Sequence, residues 1–375
     1  MLQVFGFNRN LIWGWLCAAS LVLLLVISGC VISPRRTLGG GGTPTPTPTP
    51  TGSPTPTPTP SGTPQGKLYV SNAGNNSIVR FDQALTASGN IVPAVTISGT
   101  NTTLKAPAFI FLDTAADRLY VANNGDLSIL VFDNISTKNG NVAPERTISG
   151  SNTLLSSPTD VSLDKGRDLL YVADDTNIEV FSSASVSTTS GNIAPARALD
   201  AQFHVAAIFI DGSNDRLYAA DDANNAIAVY DNASALATGP ITATRTIQGA
   251  ATNLATPDGI QIDGGGRLVV SNASTTSPSI TIYNNAATAN ANLAPAAEIS
   301  GSNTKFGVPS QIVVDTTGLG TLYNADPGVG RVAIFSNLSS ATGTENIAPN
   351  RIIFGPGTTL TVAGAPHGVA LDRTR

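Results

Sequence analysis

The sequence predicts an all-β fold, a six-bladed β-propeller of four-stranded antiparallel blades closed by the C-terminal strand joining the N-terminal blade. Three observations predict it. One pattern recurs six times from Lys67 onward, at spacings of 51, 51, 47, 51 and 54 residues. Each copy holds four short apolar segments separated by Gly, Asn, Asp, Pro and Ser, with no sustained helical period. The array starts on the second segment of a copy, Lys67-Leu68-Tyr69-Val70, and ends on a first segment, Gly368-Val369-Ala370-Leu371-Asp372. Head and tail can therefore complete each other and leave no open sheet edge.

Before the repeats come two segments of different composition. Residues 1–29 read as a secretory signal: Arg9 is their only charge, and an apolar run extends from Leu11 to Ile27. The tail Ile27-Ser28-Gly29-Cys30 resembles a bacterial lipobox, which implies lipidation of Cys30, a palmitate-type anchor and an exported protein. Two or three acyl chains give a lasting hold at ~0.8 kcal/mol per buried CH₂. Val31 does not match the aspartate that resembles an inner-membrane retention signal, so outer-membrane placement at the cell envelope is expected. Residues 30–66 carry four consecutive glycines and two tracts with proline at every second position. Proline fixes φ and removes the donor, so this stretch is expected as a disordered, polyproline-II linker reaching roughly 100 Å. The two cysteines, Cys17 and Cys30, both precede the repeats, so residues 67–375, the expected propeller domain, carry no disulfide.

Within each copy the second strand is Leu-Tyr-Val-like (Leu68, Leu119, Leu170, Leu217, Leu268, Leu322). The third ends on an aromatic: Phe81, Phe132, Phe181, Tyr230, Tyr283 or Phe335. A polar loop with a Gly-Asn-x-Ala-Pro-like phrase leads to a short outer strand. A further loop then runs to a proline and an apolar strand closed by Asp. Segments such as Phe109-Ile110-Phe111-Leu112 do not alternate in polarity, which fits sheets covered on both faces by neighbouring blades.

The phrases YVSN, YVAN and YVAD, followed by SIVRFD, SILVFD or AIAVYD, resemble the repeats of NHL and YVTN-type β-propellers over residues 67–372. The resemblance implies the propeller fold. It leaves function open among protein-binding scaffolds, cell-surface proteins and lactonase-like or lyase-like enzymes.

The aspartates ending each first strand (Asp113, Asp164, Asp211, Asp263, Asp315, Asp372) read as Asx-turn residues. Arg146, Arg197, Arg245 and Arg351, recurring in the outer strand, read as edge charges that block sheet-to-sheet pairing. The connection from the third to the fourth blade is short and lacks the glycine of the others. It is expected to lower the rim beside His204 and open a side entrance for a partner.

Antiparallel pairing places the ends of second strands and the starts of first strands at one mouth of the central channel. Among these residues the candidate ligand site comprises Asn123, Asp174, Asp221, Asp258, Asp326 and His367. The residue after each first-strand proline differs from blade to blade, which is where a site can arise without disturbing the frame. Oxygen ligands of this kind suit Ca²⁺ or Mg²⁺, with Asp174, Asp221 and Asp258 the metal candidates. The family's metal-dependent lactonases imply a glutamate at the mouth. Glu145, Glu179, Glu298 and Glu345 fall at neither mouth position. With two histidines and no Gly-x-Ser-x-Gly phrase, the reading leans away from an enzyme. A net charge of −5 argues against nucleic acid as a partner.

The expected function is an exported, lipid-anchored binding or interaction module for a protein, peptide or glycan. The alternatives are a divalent-cation-dependent, lactonase-like hydrolase at the channel mouth and a structural envelope-display scaffold.

Overall fold

The computed structural model describes residues 65–318 and 320–375. The signal peptide expected over 1–29, and Cys30 with its stalk over 30–66, lie outside these residues apart from Gln65 and Gly66. The described chain forms six sheets, each built on four antiparallel strands. From the channel outward, blade 1 consists of Pro366–Asp372, Lys67–Asn72, Ser77–Asp82 and Val95–Ser98. Blade 2 consists of Pro107–Asp113, Arg118–Asn123, Ser128–Asp133 and Arg146–Ser149. Blade 3 has Pro158–Asp164, Leu169–Asp174, Asn177–Ser182 and Arg197–Asp200. Blade 4 has Val205–Asp211, Arg216–Asp221, Ala226–Asp231 and Arg245–Gln248. Blade 5 has Pro257–Ile262, Leu268–Asn272, Ser279–Tyr283 and Ala297–Ser300. Blade 6 has Ile312–Asp315, Thr321–Asp326, Arg331–Ser336 and Arg351–Phe354.

The ring closes as the sequence predicts: Leu68 pairs with Leu371 and Val70 with Val369, antiparallel. A blade buries its faces only against its neighbours, so the core is divided among the six joints. The aromatics ending the third strands, Phe81 through Phe335, are at most 1 % exposed. At the joint of blades 6 and 1, for example, Phe81 packs in one cluster with Tyr323 and Ile353.

Each joint is also latched at its rim. The loop after a third strand lays a short parallel bridge on the outer strand of the preceding blade, as at Gly140 on Ile97 and Gly191 on Ile148. At two joints the bridge extends into small parallel strands, Gly239–Pro240 on blade 3 and Gly343–Glu345 on blade 5. The asparagine of the Gly-Asn phrase then reaches across. Asn141, Asn192, Asn292, Asn346 and Asn90 accept backbone N–H bonds of 2.7–2.8 Å from the turn leaving that outer strand. The glycine opening the turn has no alternative. At Gly150 φ is +115°, and a Cβ would stand 2.6 Å from Asn192 Oδ1. A buried threonine two residues before the apolar loop residue tightens the turn, as Thr153 does by donating to Gly150 O and accepting from Leu155 N.

The joint of blades 3 and 4 keeps the parallel strand Gly239–Pro240 but loses the asparagine and the glycine turn it grips. Pro240 stands where the asparagine would be, and Asp200-Ala201 replaces the glycine turn. Ile241, Ala201 and Phe203 pack in one apolar cluster instead.

The outer-strand arginines correct the expectation of edge charges. They cross the joints. Arg146 donates to Ala184 O and Val186 O of blade 3. Arg197 donates to Ala233, Ser234 and Leu236 carbonyls of blade 4. Arg351 reaches Ala84 O and Ala87 O of blade 1. Arg146 is 4 % exposed, so it does not face a solvent-borne strand. Arg245 differs and pairs with Asp231 of its own blade.

Two further differences concern first strands. In blade 6 the strand begins at Ile312 rather than at Pro309. Just before it, Gln311 still accepts from Ala325 N, its own N–H turns to His367 O, and its side chain bridges three blades, accepting from Ile110 N and Val369 N and donating to Ile110 O. In blades 1 to 5 the register slips near the start of the inner strand, leaving His367, Ala108, Thr159, Ala206 and Asp258 unpaired with the second strand. Such bulges re-aim a side chain.

Candidate functional site

Those five bulge residues converge. His367, Ala108, Thr159, Ala206 and Asp258 all line one cavity of about 370 Å³ at the mouth of the channel, with Ala73, Ala106, Phe109, Asn124, His204 and Asp222. A smaller cavity of about 150 Å³ continues from Phe109 along the inner strands, past Asp160, Ser162 and Gln311. The frame explains the convergence. Six inner strands begin at the same end of the ring, and in blades 1 to 5 the bulge turns the residue after the first toward the axis.

The mouth holds two carboxylates and two imidazoles. Asp222 Oδ1 lies 2.9 Å from His204 Nδ1, a contact that fixes the ring and leaves Nε2 outside the pair. Asp258 accepts a 2.7 Å hydrogen bond from Ser310 Oγ. Burial pushes its carboxyl up to about 6; the Ser310 bond opposes this, and the Asp222 charge adds to it. Burial lowers the His367 imidazole below its ordinary value. Deeper in the channel Asp160 accepts from Ile208 N and Val161 N, stitching blade 3 to blade 4. Burial raises it to about 7 despite those bonds, and the Asp258 charge contributes in the same direction.

Of the sequence candidates, the cavity thus takes Asp258 and His367. Asn123, Asp174, Asp221 and Asp326 are placed elsewhere. Each ends a second strand with its side chain turned to a joint or a turn. Asn123 accepts from Lys105 N. Asp174 accepts from the backbone N–H groups of Ser156 and Ser157. Asp326 accepts from Gly307 N and Val308 N, and Arg331 lies 3.5 Å away. In each case the donor is the loop arriving from the previous blade, whose amides would otherwise be buried unpaired. At the short connection before blade 4 no such loop reaches Asp221, which binds Asn224 N in its own hairpin instead. Asp174 and Asp221 therefore do not meet Asp258 around a common point. Among the described residues no group of three or more His, Cys, Asp or Glu is arranged to hold a metal ion.

The short connection does leave a concavity of about 370 Å³ on the flank, lined by Ala201, Gln202, Phe203 and Ile241. His204 turns away from it, to the channel mouth. The sequence reading missed the pairing of His204 with Asp222. The signal was a histidine at a position where the other copies have Ala106, Ser157, Thr256, Val308 and Ala365.

At the opposite end of the inner strands the aspartates behave as Asx-turns. Asp113 accepts from Ala115 N, Asp263 from Gly265 N and Arg267 N, and Asp372 from Thr374 N. Cations neutralise them, including Lys165 on Asp113, Arg267 on Asp263 and Arg373 on Asp315. Five of the six aspartates of that mouth are paired with a cation and Asp211 is held by Ser213 and Asn214, whereas among the described residues no lysine or arginine lines the His204 mouth.

No protein-family model matches the chain, and no curated protein matches it. Solved structures do. A functionally unknown protein from Desulfotomaculum acetoxidans DSM 771 is similar at 13 % identity and a TM-score of 0.51, covering 82 % of this chain and 98 % of that one. A chain of the nidogen/laminin complex is similar at 15 % identity and the same TM-score, again covering 82 % and 98 %. At this identity the likeness defines the class, a six-bladed β-propeller, and nothing finer.

Proposed function

We propose that this protein is a binding module carried on an exported, lipid-anchored chain, and that its ligand, a protein, peptide or glycan, engages the mouth lined by Asp258, His367 and the His204–Asp222 pair. The observation that carries the reading is the contrast between the two mouths. One is neutralised by its own side chains, and the other gathers non-repeating groups around an open cavity of about 370 Å³. Perturbed titratable groups in a concave site mark function more often than chance. The bacterial lipobox-like tail and the Thr-Pro tract support placement at the envelope, at the end of a long spacer, with Cys30 as the membrane anchor and the outer membrane as its site. The NHL/YVTN-like phrases support kinship with propellers that serve as interaction platforms.

Capture from envelope extract with the full-length chain tests the reading, using the native protein and an Ala108→Trp variant that fills the mouth. The expected result is a captured species lost on Ala108→Trp and retained on Asp263→Asn at the other end of the channel. Identical capture by both variants would refute the mouth as the binding surface. Labelling with radioactive palmitate, lost on Cys30→Ser, tests the anchor.

A further inference from the structure

Resting on that reading of the mouth as a ligand site, we propose that it takes an organic cation, an ammonium or guanidinium group presented by a small amine or by a basic side chain of a peptide. The argument starts from which hydrogen-bonding groups remain free. Asn124 spends its amide donor on Ser157 Oγ and Pro158 O. Thr159 Oγ1 donates to Val205 O or Ala173 O, within the frame. These two neutral donors of the wall are thus committed to the propeller itself, and only the His204 and His367 rings keep nitrogens outside such bonds. The acceptors are not: Ser310 bonds Asp258 Oδ2, while Oδ1 has no donor among the described residues. Asp222 holds His204 through Oδ1 alone. A ligand that completes this site has to bring donors.

Charge points the same way. No lysine or arginine lines the mouth or the cavity below it. Lys105, next to the lining residue Ala106, is 3.7 Å from Asp126. Asp222 and Asp258 therefore face the mouth cavity without a permanent counter-charge, and Asp160 adds a carboxylate in the smaller cavity below. A buried carboxylate with few partners is costly, and a cation in contact with it recovers that cost. The remaining wall is Ala73, Ala106, Ala108, Ala206 and Phe109, which suits the alkyl part of an amine and offers an aromatic ring to its charge. The volume of about 370 Å³ exceeds what one ion fills, and among the described residues no three-ligand group is arranged for a metal.

The test is titration calorimetry on the full-length chain in detergent micelles. The probes are agmatine, butylamine and an N-acetylated, C-amidated Gly-Arg-Gly peptide, with N-acetylglucosamine and glutarate as neutral and anionic counterparts. The expected result is saturable binding of at least one cationic probe, weakened at least tenfold by Asp258→Asn and abolished by Ala108→Trp. Asp263→Asn should leave it unchanged. Asparagine keeps the Ser310 bond, so a matching melting temperature would show that Asp258→Asn folds. Binding by agmatine assigns a free amine, and binding by the peptide alone assigns a basic side chain. Binding of the glycan or the dianion but not the cations, lost on Ala108→Trp, would overturn the cation assignment and leave the mouth as a site. Binding of no probe, together with extract capture that ignores Ala108→Trp, would overturn both.

Discussion

Glu179 shows what a single residue can cost this architecture. It sits on the third strand of blade 3, fully buried, and neither carboxylate oxygen has a hydrogen-bond partner. The other blades place Val79, Leu130, Ala228, Thr281 and Ala333 there. Burial, reinforced by the Asp174 charge, raises its carboxyl from 4.5 to about 7. The folded chain therefore holds a proton across that window that the unfolded chain releases. The contribution of Glu179 to stability is greatest below pH 4.5 and falls as pH rises toward 7, by up to roughly 3 kcal/mol for a shift of this size. Glu179→Ala should raise the melting temperature at pH 8 and flatten its decline between pH 5 and pH 8. An unchanged slope in thermal melts would contradict the assignment; Asp160, raised in the same direction, keeps part of the slope in both proteins. A second residue-scale prediction concerns the latch. Gly150→Ala forces an alanine to φ +115° and against Asn192, so it should cost roughly 2 kcal/mol or more in chemical denaturation. The same substitution at Gly140, where nothing stands within 4 Å of a Cβ and φ is +75°, carries only the backbone strain and should cost less.

The strands and blades were legible because their hydrogen bonds follow the chain. Alternating turn residues and apolar segments mark four strands per repeat, and antiparallel pairing of consecutive strands needs no long-range information. What connects one blade to the next was not legible in the same way. The Gly-Asn phrase and the glycine turn it grips are about forty residues apart, as with Asn192 and Asn152, and neither motif names the other. The arginines read as edge charges for the same reason: the outer strand is an edge within its own blade, but the carbonyls that bind Arg146 belong to the next one. The mouth was half visible. Asp258 and His367 stood out as departures from a repeating position, and a bulge carried them to the axis. Asn123, Asp174, Asp221 and Asp326 occupy the same end of the blades, yet a strand's alternation does not reveal which side its last residue faces once a turn begins. A prediction at this scale separates the two arginine types. Arg146→Met removes a buried cation from two carbonyls across a joint and should cost roughly 2–3 kcal/mol. Arg245→Met removes a pair with an Asp231 that is 28 % exposed and should cost less than about 1 kcal/mol.

At the scale of the whole molecule, the ring is held shut by one strand. Residues 366–372 supply the inner strand of blade 1, the Val369 amide that meets Gln311 from blade 6, and the His367 side chain at the mouth. Removing residues 366–375 exposes the edge of Lys67–Asn72 and opens the joints on both sides of blade 1. The expected loss is roughly 5 kcal/mol or more, comparable to the total stability of many domains, so the truncated chain should unfold at or near 37 °C. The most direct measurement leaves the chain intact. Amide hydrogen exchange of the full-length protein, read by mass spectrometry, should show 366–372 and 67–72 exchanging together and as slowly as 118–123 in blade 2, through global unfolding alone. Fast exchange of 366–372 against a protected remainder would mean that the tail does not close the ring, and the mouth it helps to build would lose its basis.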